Sequence, residues 1–269
     1  MTEFDYEQAT WGAETIGLGE RTIAGLRLAE ASAFLPREGK VLEIGCGGGR
    51  FLRALRGVRP ELELVGTDVS KSAMEHMRRL DPGIEARLTT SDAVPGADGE
   101  FAAVLVIDVL EHVTDPARML DEIHRVLRPG GIFHLHVPCE GDYSCLWRWL
   151  PGQGGERGLK RRFGGHIQRF TRRQVLKDVA ARDFEILRVR HSLHFVGNVA
   201  DVGAFARLAL ANRGGGSVTT GDLIGGGGRL VRLVDNLIWA EARLLGRLPA
   251  WGLHVSARKP MAASSNGRS

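Results

Sequence analysis

A single α/β domain on a mostly parallel sheet is the fold class this sequence predicts, and three observations predict it. Short apolar runs alternate with segments of helical period from residue 40 to residue 138. The first apolar run, Lys40-Val41-Leu42-Glu43-Ile44, enters a glycine-dense turn, Gly45-Cys46-Gly47-Gly48-Gly49, and then a helix. The second, Leu62-Glu63-Leu64-Val65-Gly66-Thr67, ends on Asp68.

Taken in order, the pattern reads as a helix over 11–35 stopped by Pro36, with Ile16, Ile23, Leu26, Leu28 and Ala29 as its apolar positions. Strands follow at 40–45, 62–67, 84–88, 101–107 and 131–137, with helices at 48–57, 70–80 and 115–127 between them. Such alternation places helices on both faces of a parallel sheet. Thr171 has the character of an N-cap for a helix to about Arg182, Phe184 to Ser192 reads as a sixth strand, and His254 to Lys259 as a seventh. About sixty residues separate those last two strands. They contain helical patterns near 198–212 and 229–247 around a glycine-rich stretch expected to be a mobile linker.

At 269 residues the chain is long enough for one full α/β core plus an insertion. Its 36 Lys+Arg against 32 Asp+Glu leave a net charge of only +4, so the distribution of charge says more than the sum. Arg157, Lys160, Arg161, Arg162, Arg169, Arg172 and Arg173 follow one another with no acid among them. A solvated face is the ordinary meaning of such a run; beside Trp147, Trp149, Leu150 and Phe163 it also suits a membrane surface or a phosphorylated acceptor. Cys46, Cys139 and Cys145 fit neither a zinc site nor a disulfide framework, which predicts reduced thiols and a cytoplasmic protein. The acidic N-terminus lacks an apolar targeting core, and no membrane span is expected.

The glycine turn carries the chemistry. One glycine reverses the backbone at positive φ, another admits a ligand where a Cβ would stand, and a third lets helix and strand pack closely. Asp68, at the end of the next strand, can accept both hydroxyls of a ribose. A dinucleotide site would use the same pieces, but its fingerprint needs glycine where Arg50 stands.

Through Val41 to Gly49, Gly66-Thr67-Asp68-Val69-Ser70, Ser91-Asp92-Ala93, Ile107-Asp108-Val109-Leu110-Glu111-His112-Val113 and Leu127-Arg128-Pro129-Gly130-Gly131, the chain resembles the class I S-adenosylmethionine-dependent methyltransferases, with likeness to the ubiquinone-pathway O-methyltransferases. The resemblance implies a Rossmann-like seven-stranded sheet whose last strand is antiparallel, here with a helical insertion between strands six and seven. It implies one domain over 1–269: a helical cap at 1–36, a cofactor-binding core at 38–138, a substrate loop and helix at 139–182, and a helical lid with a glycine-rich linker at 196–250. S-adenosyl-L-methionine is the implied cofactor. Gly45, Gly47 and Gly49 would wrap its methionine and ribose, Asp68 would take the ribose diol, Asp92 and Ala93 the adenine, and Asp108 or the neighbouring carbonyl the methionine amino group, with Val69 and Ile107 also cofactor-binding, while Glu43 organises the turn.

Glu111 and His112 have two readings. They either open the following helix, or form with Asp108 a cluster for a divalent cation; no metal is expected to be required. His166 and His112 are the catalytic candidates, His166 first, since an imidazole within reach helps deprotonate a hydroxyl acceptor. His134 and His136 share one sheet face and rank lower. The expected partner is a small lipophilic, quinone-like or sugar-containing acceptor methylated on oxygen. A peripheral membrane contact and a homodimer stay open, and nucleic acid is not expected. An RNA methyltransferase and a non-catalytic binding protein are the alternatives.

Overall fold

The computed structural model describes Glu7 and residues 15–90, 93–153, 155, 158–212 and 228–261. Its element order is α1 (Ile23–Ser32), β1 (Gly39–Ile44), α2 (Arg50–Val58), β2 (Leu62–Asp68), α3 (Lys71–Leu80), β3 (Glu85–Leu88), β4 (Phe101–Ile107), α4 (Pro116–Val126) and β5 (Leu127–Pro138). Then come α5 (Leu159–Gly164), α6 (Arg172–Ala180), β6 (Glu185–Ser192), α7 (Phe195–Ala211), α8 (Arg229–Leu245) and β7 (Gly252–Arg258).

The seven strands form one sheet in the order β3-β2-β1-β4-β5-β7-β6. All neighbours are parallel except those of β7, which runs antiparallel to β5 and β6. Strand order reverses between β1 and β4, so a crevice opens at their carboxyl ends. Alternation along the central strands divides the core. Leu42, Val104, Val106, Phe133 and Leu135 pack on one face with Ile123 of α4 and Val175 of α6. Val41, Leu64, Ala103 and Leu105 pack on the other with Leu28, Leu52, Met74 and Met77.

Capping explains several boundaries. The side chains of Thr22, Ser70, Asp115 and Thr171 accept from backbone amides at the starts of α1, α3, α4 and α6. The first helix therefore starts at Ile23, not near residue 11: residues 15–22 are non-helical up to the Thr22 cap, and 11–14 lie outside the described residues. Strand β5 starts earlier than expected because Gly130 and Gly131 pair with Lys259 beyond β7: the Gly130 amide donates to the Lys259 carbonyl at 2.8 Å, and the Lys259 amide donates to that of Gly131 at 2.9 Å. Glu111 and His112 do not open α4. They occupy a separate 3₁₀ turn, Leu110–His112, while Asp115 caps the helix.

The insertion between β6 and β7 brings its own apolar cluster. Phe205 and Leu208 of α7 and Ile238 of α8 close over Cys145, Trp147, Leu193 and Trp251. Trp147, expected among exposed aromatics, is buried there, and its indole donates to Asp201 at 2.6 Å; Trp149 does lie in solvent. Asn198 fastens α7 to the loop after β5, accepting from the Leu146 amide and donating to the Ser144 carbonyl. The glycine-rich linker lies outside the described residues. Among the described residues, no helix is long and apolar enough to cross a membrane, and all three cysteines are free and buried.

Candidate functional site

At the carboxyl end of β1 the chain turns through Gly45, Gly47 and Gly49, all at positive φ (67°, 52° and 73°). A Cβ on Gly45 would strike Val109 and one on Gly49 would strike Met77, so these two glycines hold the turn tight against its surroundings. Gly47 differs. Among the described residues a Cβ there would meet nothing within 4 Å, so its backbone faces open space at the carboxyl end of β1. Asp68, ending β2, pins the turn: its carboxylate accepts from the Gly47 amide at 2.8 Å and the Ser70 amide at 2.9 Å. A carboxylate offers about four lone-pair positions, which leaves acceptor capacity for a diol. Val69, next along, is exposed at the strand end.

Glu43 is buried beneath this turn, where burial pushes its carboxyl up to about 8 against the pull of Arg50. The Glu7 carboxylate accepts from the amides of Lys71 and Ser72 at the start of α3. The Ala93 amide donates to the Thr90 carbonyl at 3.3 Å. Asp92 lies outside the described residues.

Strand β4 ends on buried Ile107, and Asp108 follows in the left-handed region at φ 55°. Aspartate tolerates this better than most residues, and such backbone concentrates at functional sites. Its carboxylate is gripped twice, by Arg27 of α1 at 2.6 Å and by Nδ1 of His136 at 2.7 Å. Against burial, Arg27 and His136 hold the Asp108 carboxyl well below the usual range. Behind His136, the rings of His134 and His254 complete a buried column across β5 and β7, with centroids 4.4 Å apart for His136 and His254. Burial drives His134 down to about 3, so it remains a neutral core residue.

Across the crevice, α5 ends at Gly165, whose φ of 73° turns the chain back. The amides of Ile167 and Gln168 then both donate to the Glu111 carbonyl at 2.9 Å. That clamp brings His166 beside His112, ring centroids 4.9 Å apart and edge to face. His112 Nδ1 bonds the Gly165 carbonyl at 3.1 Å, and burial, with His166 beside it, pushes its imidazole down to about 3. His166 Nδ1 lies 2.6 Å from Oε1 of Glu140, the second residue after β5.

Glu111 is buried, and among the described residues neither of its carboxylate oxygens has a hydrogen-bond partner; burial with nearby Asp108 raises its carboxyl well above the usual range. Ligating atoms of Glu111, His112 and His166 lie within 4.8 Å of one another, close enough to meet on a cation. Asp108, the sequence candidate for such a cluster, is instead committed to Arg27 and His136.

Three members of the basic run have structural partners, and Arg157 lies outside the described residues. Lys160 points inward to Asp201, Arg169 donates to the carbonyls of Glu140 and Trp147, and Arg172 pairs with Asp142 at 2.8 Å. Sequence reasoning missed Arg27 and Glu140. Arg27 carried only the weak signal of a cation in a helix ahead of the first strand, and Glu140 stands two residues beyond the apolar strand, where its partner 26 positions on was not readable.

The chain matches the family model described as a methyltransferase domain over residues 20–189. It is 36% identical over 121 residues to the ubiquinone biosynthesis O-methyltransferase of Parvibaculum lavamentivorans, covering 43% of this chain and 47% of that protein. The chain thus spans about half the length of the curated relatives it matches. Among solved structures it superposes on the [4+2]-cyclase SpnF with a TM-score of 0.55 at 19% identity, covering 87% of this chain and 79% of that one. It also superposes on geranyl diphosphate C-methyltransferase from Streptomyces coelicolor with a TM-score of 0.56 at 14% identity, covering 88% and 79%. At these identities the two structures speak for the fold alone.

Proposed function

The chain belongs to the methyltransferase domain family, as a class I S-adenosylmethionine-dependent member, and on that premise we propose that it methylates a hydroxyl of a small lipophilic or sugar-containing acceptor. The residues fit the cofactor. Gly47 leaves open space where a side chain would stand, Asp68 retains acceptor capacity beside it, and the cation and anion of Arg27 and Asp108 match an α-amino-acid zwitterion. When bound, the cofactor supplies an electrophilic methyl group.

The protein's own part is to orient the acceptor, exclude water and move one proton. His166 is the base. The observation that carries this reading is its place at the sheet's switch-point edge, beside His112, with one ring nitrogen already engaged by Glu140. His112, held neutral by burial, is too weak a base near neutral pH to compete and serves as a wall of the pocket. A panel of phenols, hydroxyquinones and glycosides incubated with methyl-labelled cofactor tests the proposal. The expected product is a methyl ether, formed about 10²-fold more slowly or worse by His166→Ala. Label appearing on nitrogen or carbon, or an unimpaired His166→Ala, overturns it.

The two Glu111 oxygens, without a hydrogen-bond partner among the described residues, favour a second reading, in which Glu111, His112 and His166 would hold a divalent cation that would supply Lewis acidity for a hydroxyl acceptor. Activity lost to a chelator and restored by magnesium would support it. Activity untouched by the chelator would leave the metal-free reading, in which Glu111 stays protonated.

The same proposal extends to a surface. Leu230, Leu233, Leu237 and Leu244 of α8 fall within an arc of about 60° at ~100° per residue, and are exposed by 73, 56, 47 and 83%. Arg229, Arg232 and Arg243 flank that arc, while Ile238 and Ala242 face inward on a different side. An apolar stripe beside cations suits the interface of an anionic membrane, where a lipophilic acceptor would be found.

A further inference from the structure

The contact of His166 with Glu140 continues through further charges into the insertion. Glu140, 2% exposed, receives His166 Nδ1 at 2.6 Å and stands 3.9 Å from Nζ of Lys160 in α5. Lys160, 7% exposed, reaches both carboxylate oxygens of Asp201 in α7, at 2.9 and 2.8 Å. Asp201 also takes the Trp147 indole, and the Lys160 ammonium lies over the rings of Phe205 and Trp251 at 4.2 and 5.2 Å. The series Asp201, Lys160, Glu140, His166 alternates in sign from the insertion helix to the imidazole.

Burial opposes charge on both Glu140 and Lys160. His166 and Lys160 nevertheless keep the Glu140 carboxyl below its ordinary value, and Asp201 and Glu140 keep the Lys160 ammonium above its own. Buried ion pairs seldom stabilise a fold better than apolar packing of the same volume would. What this one provides is an ionised acceptor fixed against one ring nitrogen, and such an acceptor selects a tautomer. The ionisable groups about His166 are Glu140, His112 and Glu111, with Lys160 against Glu140 and Arg169 holding the Glu140 carbonyl. Glu140 is the carboxylate bonded to the ring.

We propose that Glu140 is a positioning residue that keeps the His166 proton on Nδ1, so that Nε2 is the basic atom presented to the acceptor, and that Lys160 and Asp201 tie this orientation to α7. The proposal rests on the reading that His166 serves the acceptor hydroxyl. It makes the insertion part of the site rather than a cover over it. Displacing Asp201 withdraws the counter-charge that holds Lys160 and, through it, Glu140.

Long-range proton–nitrogen NMR on the full chain, with ¹⁵N-labelled histidine and the ring neutral, reads the tautomer directly. The His166 signals are those lost in His166→Ala. The parent is expected to show a single form protonated on Nδ1, Glu140→Gln to keep it because the amide oxygen still accepts, and Glu140→Leu to lose it to a mixture. Asp201→Asn should broaden or split the same signals without moving those of His134, which report an intact core. A parent protonated on Nε2, or a Glu140→Leu spectrum unchanged at His166, overturns the proposal. Should Glu140→Leu fail to fold, the parent tautomer and Asp201→Asn still decide the matter. Full methyl transfer by His166→Ala in the acceptor screen would remove the base reading instead, an outcome separate from the tautomer itself.

Discussion

Replacing Asp68 with alanine removes the carboxylate proposed to hold the cofactor ribose, and the structure separates the cost into two parts. In the free protein, the carboxylate holds the amides of Gly47 and Ser70 at 2.8 and 2.9 Å. Loss of two such bonds costs the fold about 1 kcal/mol each, which lowers the melting temperature by roughly 4–8 °C. In the complex, the same carboxylate would accept the ribose diol through charge-assisted bonds of about 1.5–3 kcal/mol each. Losing both weakens binding by about 3–6 kcal/mol, or ~10²- to 10⁴-fold. Titration calorimetry with S-adenosylhomocysteine measures the second part, and melting without ligand measures the first. Asp68→Asn, which keeps one acceptor oxygen, should fall between parent and alanine in both. A parent that does not bind, or an Asp68→Ala protein that binds as tightly as the parent, refutes the assignment.

Two further outcomes follow from the buried histidines and the exposed leucines. His134 is held neutral at about 3 against an ordinary 6.5, so the stability it permits is complete above pH 6.5 and is lost as pH falls towards 3; between pH 7.5 and 5.5 its share of the loss is about 1.4 kcal/mol. His134→Leu should therefore lose that much less than the parent in denaturant melts over the same interval, and parallel pH curves for the two proteins would dismiss the argument. In α8, changing Leu233, Leu237 and Leu244 to serine should cut sedimentation with phosphatidylglycerol vesicles at least tenfold, given roughly 1.5–3 kcal/mol for each fully buried leucine, and raised salt should weaken the parent's binding. Vesicle binding unchanged in this variant sinks the membrane contact, and a parent dimer that the variant dissociates would assign the face to a second copy.

The parallel core was legible because local and global signals agree there. Strand runs of period two, caps such as Ser70 and Thr171, and the glycine turn each specify one backbone state, and the structure adopts them. Sequence placed Gly45, Gly47, Gly49, Asp68 and Asp108 on one sheet edge because a parallel sheet leaves no other place for strand-end residues. What was not legible depends on long-range pairing. Lys160 looked like one more cation in a basic run, yet it is buried because Asp201, 41 positions away, meets it. Trp147 looked like an exposed aromatic for the same reason, its partner being that same aspartate. Asp108 looked available for a cation until Arg27, from a helix whose start was misplaced, came within 2.6 Å.

Fold alone does not choose the reaction, since the same architecture supports a protein described as a [4+2]-cyclase. The choice lies in which groups can accept a proton at the crevice. Glu111 is pushed towards its protonated form, His112 is held neutral, and Asp108 is occupied by Arg27 and His136. The proposal therefore rests on His166, whose Nδ1 lies against Glu140. A cyclisation of neutral carbon centres has no use for a base so oriented, whereas a hydroxyl nucleophile gains directly from one. The surroundings suit the proposed acceptor: Trp149 lies exposed in the loop after β5, and the outer helix of the insertion presents leucines and arginines together. A hydroxyl carried on a lipophilic body, as proposed, is compatible with both features.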